Sequence, residues 1–294
     1  MQPQSDAPRG SPIAMTPLIE AYRKVVGQPW DDLSYLALLL TLPSEEYVSS
    51  LLDVVDPDAV HRARRETRRE LAQQLESEFH ELYQRYHREE PDRRDAEAVG
   101  RRRLKNICLG YLMALESDEA YRLCACQFAA AGTMTDQSAA LSFIVNSRHP
   151  ERGQILERFY RQWRGEALVI DMWFAVQATC SLPGTLQAVK ALLEHRDFDL
   201  KTPNRVRALI GAFSQSNPVG FHARDGAGYE FLADHVIALN ALNPQVASRM
   251  LGALTQWRRY DSARQTLMRS QLQRIVETVG MSKDVFEVAT KSLA

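Results

Sequence analysis

Long apolar runs are missing from this 294-residue sequence. The longest, Leu36 to Leu42, is interrupted by Thr41, and a bilayer span takes about 20 apolar residues. No membrane partner is expected. An excess of charge of one sign is missing too: 36 basic residues face 37 acidic ones, for a net charge of −1. Composition therefore points to neither nucleic acid nor an anionic membrane surface. Cysteine is scarce. Cys108, Cys124, Cys126 and Cys180 sit among apolar residues, and the C-x-C at Cys124 and Cys126 lacks the second pair of a zinc site. Reduced, buried thiols in a cytoplasmic protein are the expectation.

The signatures of catalysis are also sparse. His80-Glu81-Leu82-Tyr83-Gln84 is the nearest approach to a metalloprotease helix. That helix needs histidines at i and i+4 with the Glu as general base, and here Gln84 stands in the second position. Leu82 and Tyr83 fit a packed helix better than a catalytic one. No nucleophile elbow and no phosphate-cradling glycine loop occurs. No catalytic residue, metal ligand or cofactor is therefore assigned to this chain. A hydrolase built on His80 and Glu81 is the weakest of three functional readings.

Apolar residues make up 45% of the chain and charged residues 25%, the balance of a globular protein with a sizeable core. Residues 1–16, rich in Pro, Ser and Gln, lack the apolar centre of a signal peptide and read as a disordered leader. From residue 17 to 294 one helical domain is expected, because apolar spacing is helical throughout and strand alternation is absent. Thr16-Pro17 opens a first helix ending at Gly27, and Trp30 to Leu42 forms a second. Ser44 caps a third with a buried stripe of Val48, Leu51, Leu52 and Val55. Asp56-Pro57 begins a long fourth, with Leu71, Leu75, Phe79, Leu82, Tyr83 and Tyr86 inward. Arg88 to Arg103 reads as a solvated turn and helix face, a basic patch for an acidic partner being the alternative.

Thr202 to Tyr229 organises the rest. Thr202-Pro203 reads as a helix start, Asn217-Pro218 stops that helix, and an irregular loop runs to Gly228. Helix starts at Pro203, Tyr229 and Pro244 give about forty residues per helix pair, a HEAT- or armadillo-like period. The expected fold is all-α: an α-solenoid, a superhelical bowl of antiparallel helix pairs. Pro203 and Pro244 open helices one repeat apart, which places Arg207 and Arg249 early in the second turn of parallel helices. The two guanidinium groups are then positioned to grip a carboxylate, or each makes a salt bridge or caps a neighbouring helix.

The stretch NRVRALIGAFSQSNPVGFHARDGAGYEFLADHVIALNALNPQVASRMLGALTQWRRYDSARQ, residues 204–265, closely resembles the C-terminal helical domain of the bacterial alanyl aminopeptidases (aminopeptidase N), zinc gluzincins. TLPSEEYVSSLLDVVDPDAV (residues 41–60), MTDQSAALS (134–142) and VIDMWFAVQAT (169–179) extend the resemblance, in the same order, over nearly all of residues 17–294. The family's catalytic domain, with its H-E-x-x-H helix, zinc-binding Glu and G-A-M-E-N motif, has no counterpart here.

What the resemblance implies is a non-catalytic domain that caps the active site of a zinc-dependent aminopeptidase and lines its peptide chamber. By the same resemblance Arg207, Arg249, Asn217 and His222 line that chamber, the zinc belongs to the catalytic domain, and the partners are that domain and a peptide substrate. The catalytic domain shares the chain in the family, a separate chain being the alternative here. A second class of reading is a freestanding α-solenoid scaffold that holds a protein or peptide in its concave groove.

Overall fold

The computed structural model describes residues 15–87 and 93–294. The leader expected over residues 1–16 lies outside the described residues except for Met15 and Thr16, and Thr16 already opens the first helix. Residues 88–92 of the mixed-charge stretch also lie outside them. The described chain is nearly all helical, as its spacing predicts, and its β pairing is one isolated bridge between Val55 and Tyr260.

The helices are α1 (Thr16–Val26), α2 (Leu33–Leu39), α3 (Glu45–Ser50), α4 (Pro57–Gln74), α5 (Glu76–Tyr86), α6 (Ala96–Met113), α7 (Asp118–Ala130), α8 (Met134–Val145) and α9 (Arg152–Trp163). There follow α10 (Ala167–Ala178), α11 (Thr185–Leu193), α12 (Pro203–Val206), α13 (Ala212–Ser216), α14 (Pro218–Phe221), α15 (Ala227–Asn240), α16 (Pro244–Thr255), α17 (Ser262–Glu277) and α18 (Lys283–Leu293). Their starts follow capping chemistry. Ser44, Asp95, Thr133, Asn243, Asp261 and Ser282 each accept a backbone N–H from the first turn of the helix they precede, satisfying donors that the helix itself cannot.

Several elements differ from the sequence expectation. The second helix is shorter than Trp30 to Leu42, because Asp32 caps it by accepting from Ser34 and Tyr35. The long fourth helix is two, α4 and α5, broken where Leu75 leaves helical geometry at φ −130°. Its apolar line stays inward across the break, Leu71, Leu75 and Phe79 being wholly buried. Thr202 makes no side-chain cap, so Pro203 alone sets that start. The stripe assigned to α3 is not buried: α3 has no buried residue, and of that set only Val55, beyond the helix, is inside. Helical periodicity shows that one face is apolar but not that something covers it. Cys126 is likewise exposed, whereas Cys108, Cys124 and Cys180 are buried.

The described residues fall into two compact units. The first is drawn from the residues up to Leu42 and from Arg65–Ala120. Its core is a ring stack: Phe79 of α5 lies parallel to Tyr111 of α6 at 4.4 Å, and Tyr22 of α1 meets Tyr111 edge-on. The Tyr111 hydroxyl donates to the Leu40 carbonyl at 2.7 Å, so this buried polar group is satisfied.

The second unit comprises Pro43–Arg64 and Tyr121–Ala294. It contains the whole Thr202–Tyr229 stretch and α15 to α18. Phe213, Phe221, Tyr229, Leu232 and Leu251 are among its fully buried side chains. Phe213 meets both Phe221 and Phe231 edge-on, the arrangement aromatic quadrupoles favour.

Candidate functional site

α12 does not run straight into α13. Between them Arg207–Gly211 forms a π-helical turn, with Val206 and Ala212 in ordinary helical geometry on either side. A π turn carries an extra residue and recurs at functional positions in helices. Here it turns Leu209, Ile210 and Gly211 into the core while Arg207 stays exposed. The Ser214 hydroxyl, on α13, donates back to the Ile210 carbonyl of this turn at 2.8 Å.

Arg207 bonds only within its own helix, Nε donating to the Pro203 carbonyl at 3.2 Å. Arg249, exposed on α16, makes no hydrogen bond or ion pair with the described residues. The salt-bridge alternative for these two side chains is thus not what the structure contains. Gly211 brings their helices together. A Cβ on Gly211 would lie 3.8 Å from the Arg207 Cβ and 3.4 Å from the Sδ of Met250, the neighbour of Arg249. Met250 is buried against this turn, while Arg249, one position earlier on α16, is exposed. Arg205, two residues before Arg207, contrasts with it: its guanidinium pairs with Asp171, donates to the Ala167 and Asp197 carbonyls and covers the Phe174 ring.

Asn217 and His222 sit differently. Asn217 is 2% exposed and uses its whole side chain: Oδ1 accepts from Gly220, and Nδ2 donates to the Ala178 and Cys180 carbonyls at 2.9 and 2.8 Å. It caps α14 and closes the C-terminal end of α10 at once. His222 is 6% exposed, stacks on Tyr260 at 4.2 Å and shares a 2.9 Å hydrogen bond between its Nδ1 and the Tyr229 hydroxyl. Burial first, and then the nearby Arg264 charge, push its pKa down to about 3. It is a neutral ring at physiological pH. The loop these two residues hold closes tightly: Gly226 takes a positive φ of 73° before α15, and a Cβ on Gly228 would lie 2.3 Å from the Phe221 carbonyl oxygen.

Beside this loop lies a charged hub with no sequence signature. Arg264 of α17, 3% exposed, pairs with Asp58 and Asp261 at 2.7 Å each and reaches Asp56 at 3.8 Å. Its Nε donates to the His222 carbonyl at 2.9 Å. The start of α4, the start of α17 and the central loop thereby meet at one guanidinium. Asp56 and Asp58 read in sequence as a helix start only, because their partner lies some 200 positions away, at a separation of 206.

On α5, His80 faces Glu119 at 3.5 Å and Glu81 pairs with Arg85. Among the described residues no group of three or more His, Cys, Asp or Glu is placed to hold a metal ion. No described helix is long and apolar enough to cross a membrane.

Comparison with known proteins gives this geometry its context. Residues 9–294 match the family model described as a domain of unknown function (DUF3458_C) with ARM repeats. The chain is 39% identical over 287 residues to the aminopeptidase N of Escherichia coli strain K12, covering 97% of this chain and 33% of that protein. It is 40% identical over 260 residues to the aminopeptidase N of Caulobacter vibrioides, covering 88% and 30% of the two. Among solved structures, Legionella pneumophila aminopeptidase A in complex with aspartic acid superposes with a TM-score of 0.86 at 32% identity, over 94% of this chain and 33% of that one. The chain spans about a third of the length of these relatives. All-helical, built of ARM repeats and matched along nearly its whole length, it belongs to the DUF3458_C family, the C-terminal domain of aminopeptidase N-like proteins.

Proposed function

We propose that this chain is the non-catalytic cap of a zinc-dependent aminopeptidase, closing over the active site and lining the chamber that receives the peptide. The observation that carries the reading is Arg207 and Arg249, both exposed and free of acidic partners among the described residues, in a domain shared with aminopeptidases. An exopeptidase must admit short peptides while excluding folded proteins. A helical cap supplies that exclusion, and two guanidinium groups on its wall can receive a peptide's C-terminal carboxylate by charge-assisted hydrogen bonds.

Asn217 and His222 serve the chamber from behind, holding the loop rather than presenting a polar atom. Residues 17–294 act as one functional domain in this reading. The zinc belongs to the catalytic domain in this reading, and on α5 His80 faces Glu119 while Glu81 pairs with Arg85. A cytoplasmic location accords with four cysteines that are all unpaired.

The test mixes the chain with the two thirds of the Escherichia coli relative that the match does not reach. Peptides of four or five residues and an alanine anilide, which has no carboxylate, serve as substrates. Replacing Arg207 and Arg249 together by Ala should raise KM for the peptides roughly tenfold, the worth of about one charge-assisted bond. The anilide should be unaffected. An equal effect on both substrates, or none on either, would remove the arginines from the chamber.

A further inference from the structure

We propose that α3 and the turn after it form a docking surface for the part of the aminopeptidase that lies outside this chain, with Tyr47, Leu51, Leu52 and Val54 as its contact residues. Those four side chains are 57%, 68%, 40% and 60% exposed, in a helix with no buried residue. Exposed apolar residues scattered singly need no explanation; four within eight positions of one short, fastened segment are what the proposal rests on.

Their exposure is not the looseness of a frayed segment. The backbone beneath them is fastened from the other side. Arg259 donates through Nη2 to the Ser49 carbonyl at 2.7 Å, and its own carbonyl accepts from Val55 N–H at 2.7 Å. His61 meets Glu45 at 2.8 Å, Arg64 donates to the Pro43 carbonyl at 2.7 Å, and Val55 itself is buried. Asp58, just downstream, is held by Arg264. The segment is thus held at both ends and its middle, with its apolar side chains turned to solvent. Rigid presentation of apolar groups lowers the ordering cost of association, and Tyr is among the residues that most often carry binding energy at contacts.

The occupant follows from length. The relatives extend for two thirds of their length beyond the region this chain matches, and this face is apolar where the described residues offer no cover. The assignment rests on the aminopeptidase reading above but does not need the chamber arginines.

Hydroxyl-radical footprinting tests it. The chain is labelled alone over a range of concentrations, then mixed with the unmatched two thirds of the Escherichia coli relative, with binding followed by sedimentation. Labelling of Tyr47, Leu51 and Leu52 should fall severalfold in the complex, and Leu51→Asp with Leu52→Asp should weaken binding at least tenfold. The thermal midpoint of the chain alone should stay unchanged, since both side chains are exposed. Binding without protection of these residues would overturn the docking surface and leave the cap reading intact. Absence of binding would overturn both. Protection that grows with the concentration of the chain alone would assign the face to a second copy and overturn the proposal.

Discussion

Gly228 shows how single atoms hold the central loop. A methyl group there would come within 2.3 Å of the Phe221 carbonyl oxygen, and backbone has nowhere to yield. Gly228→Ala should cost roughly 1–3 kcal/mol or more, as overpacking does, read from denaturant midpoints at constant m. Asn217→Asp keeps the acceptor that caps α14 but sets a carboxylate against the Ala178 and Cys180 carbonyls. It should destabilise at least as much as Asn217→Ala, whose two orphaned carbonyls cost on the order of 3 kcal/mol. His222 supplies a pH dependence. Its folded pKa is pushed from 6.5 down to about 3, so on acidification the unfolded chain takes up the proton first. Its contribution is complete above 6.5 and is lost as pH falls toward 3, at about 1.4 kcal/mol per pH unit. Burial lowers the pKa of His235 as well, so the fall in stability from pH 7 to 5 should become shallower in His222→Gln without vanishing.

Among elements, the Arg264 hub governs how α4 and α17 start beside the central loop. Arg264 is buried but its aspartates are about a third to a half exposed, so water takes over part of their solvation when it is removed, and the cost should be roughly 1–3 kcal/mol, mostly from the lost packing and the unpaired His222 carbonyl. Arg264→Ala should show that loss and open the segment before α4 to early proteolysis. Arg264→Lys should rescue little, because one ammonium cannot serve Asp58, Asp261 and the His222 carbonyl in the geometry of a planar fork. The cap at Ser44 was legible in the sequence because a cap acts within three residues. The break at Leu75 and the π turn at Arg207–Gly211 were not, since no proline lies within either. α3 misled for a related reason: periodicity reports an amphipathic helix, and burial depends on what lies against it. Arg205 and Arg207 differ in the same way, one locked and one open, although sequence offers no means of telling them apart.

At the scale of the molecule, the repeat period and the absence of strand patterning were enough for an all-α fold, and the segment resemblance reached the right family. The candidate site was less legible. Of the four residues assigned to it by resemblance, Arg207 and Arg249 are exposed, while Asn217 and His222 are buried in the loop that positions them. That burial depends on Tyr229, Tyr260 and Arg264, which reach His222 from other elements. The most direct measurement of the cap role is hydrolysis of an alanine anilide by the purified chain with zinc present, read together with its bound-metal content. A cap predicts no turnover and no stoichiometric zinc. Turnover that co-elutes with the chain, with one bound metal ion per molecule, would contradict it.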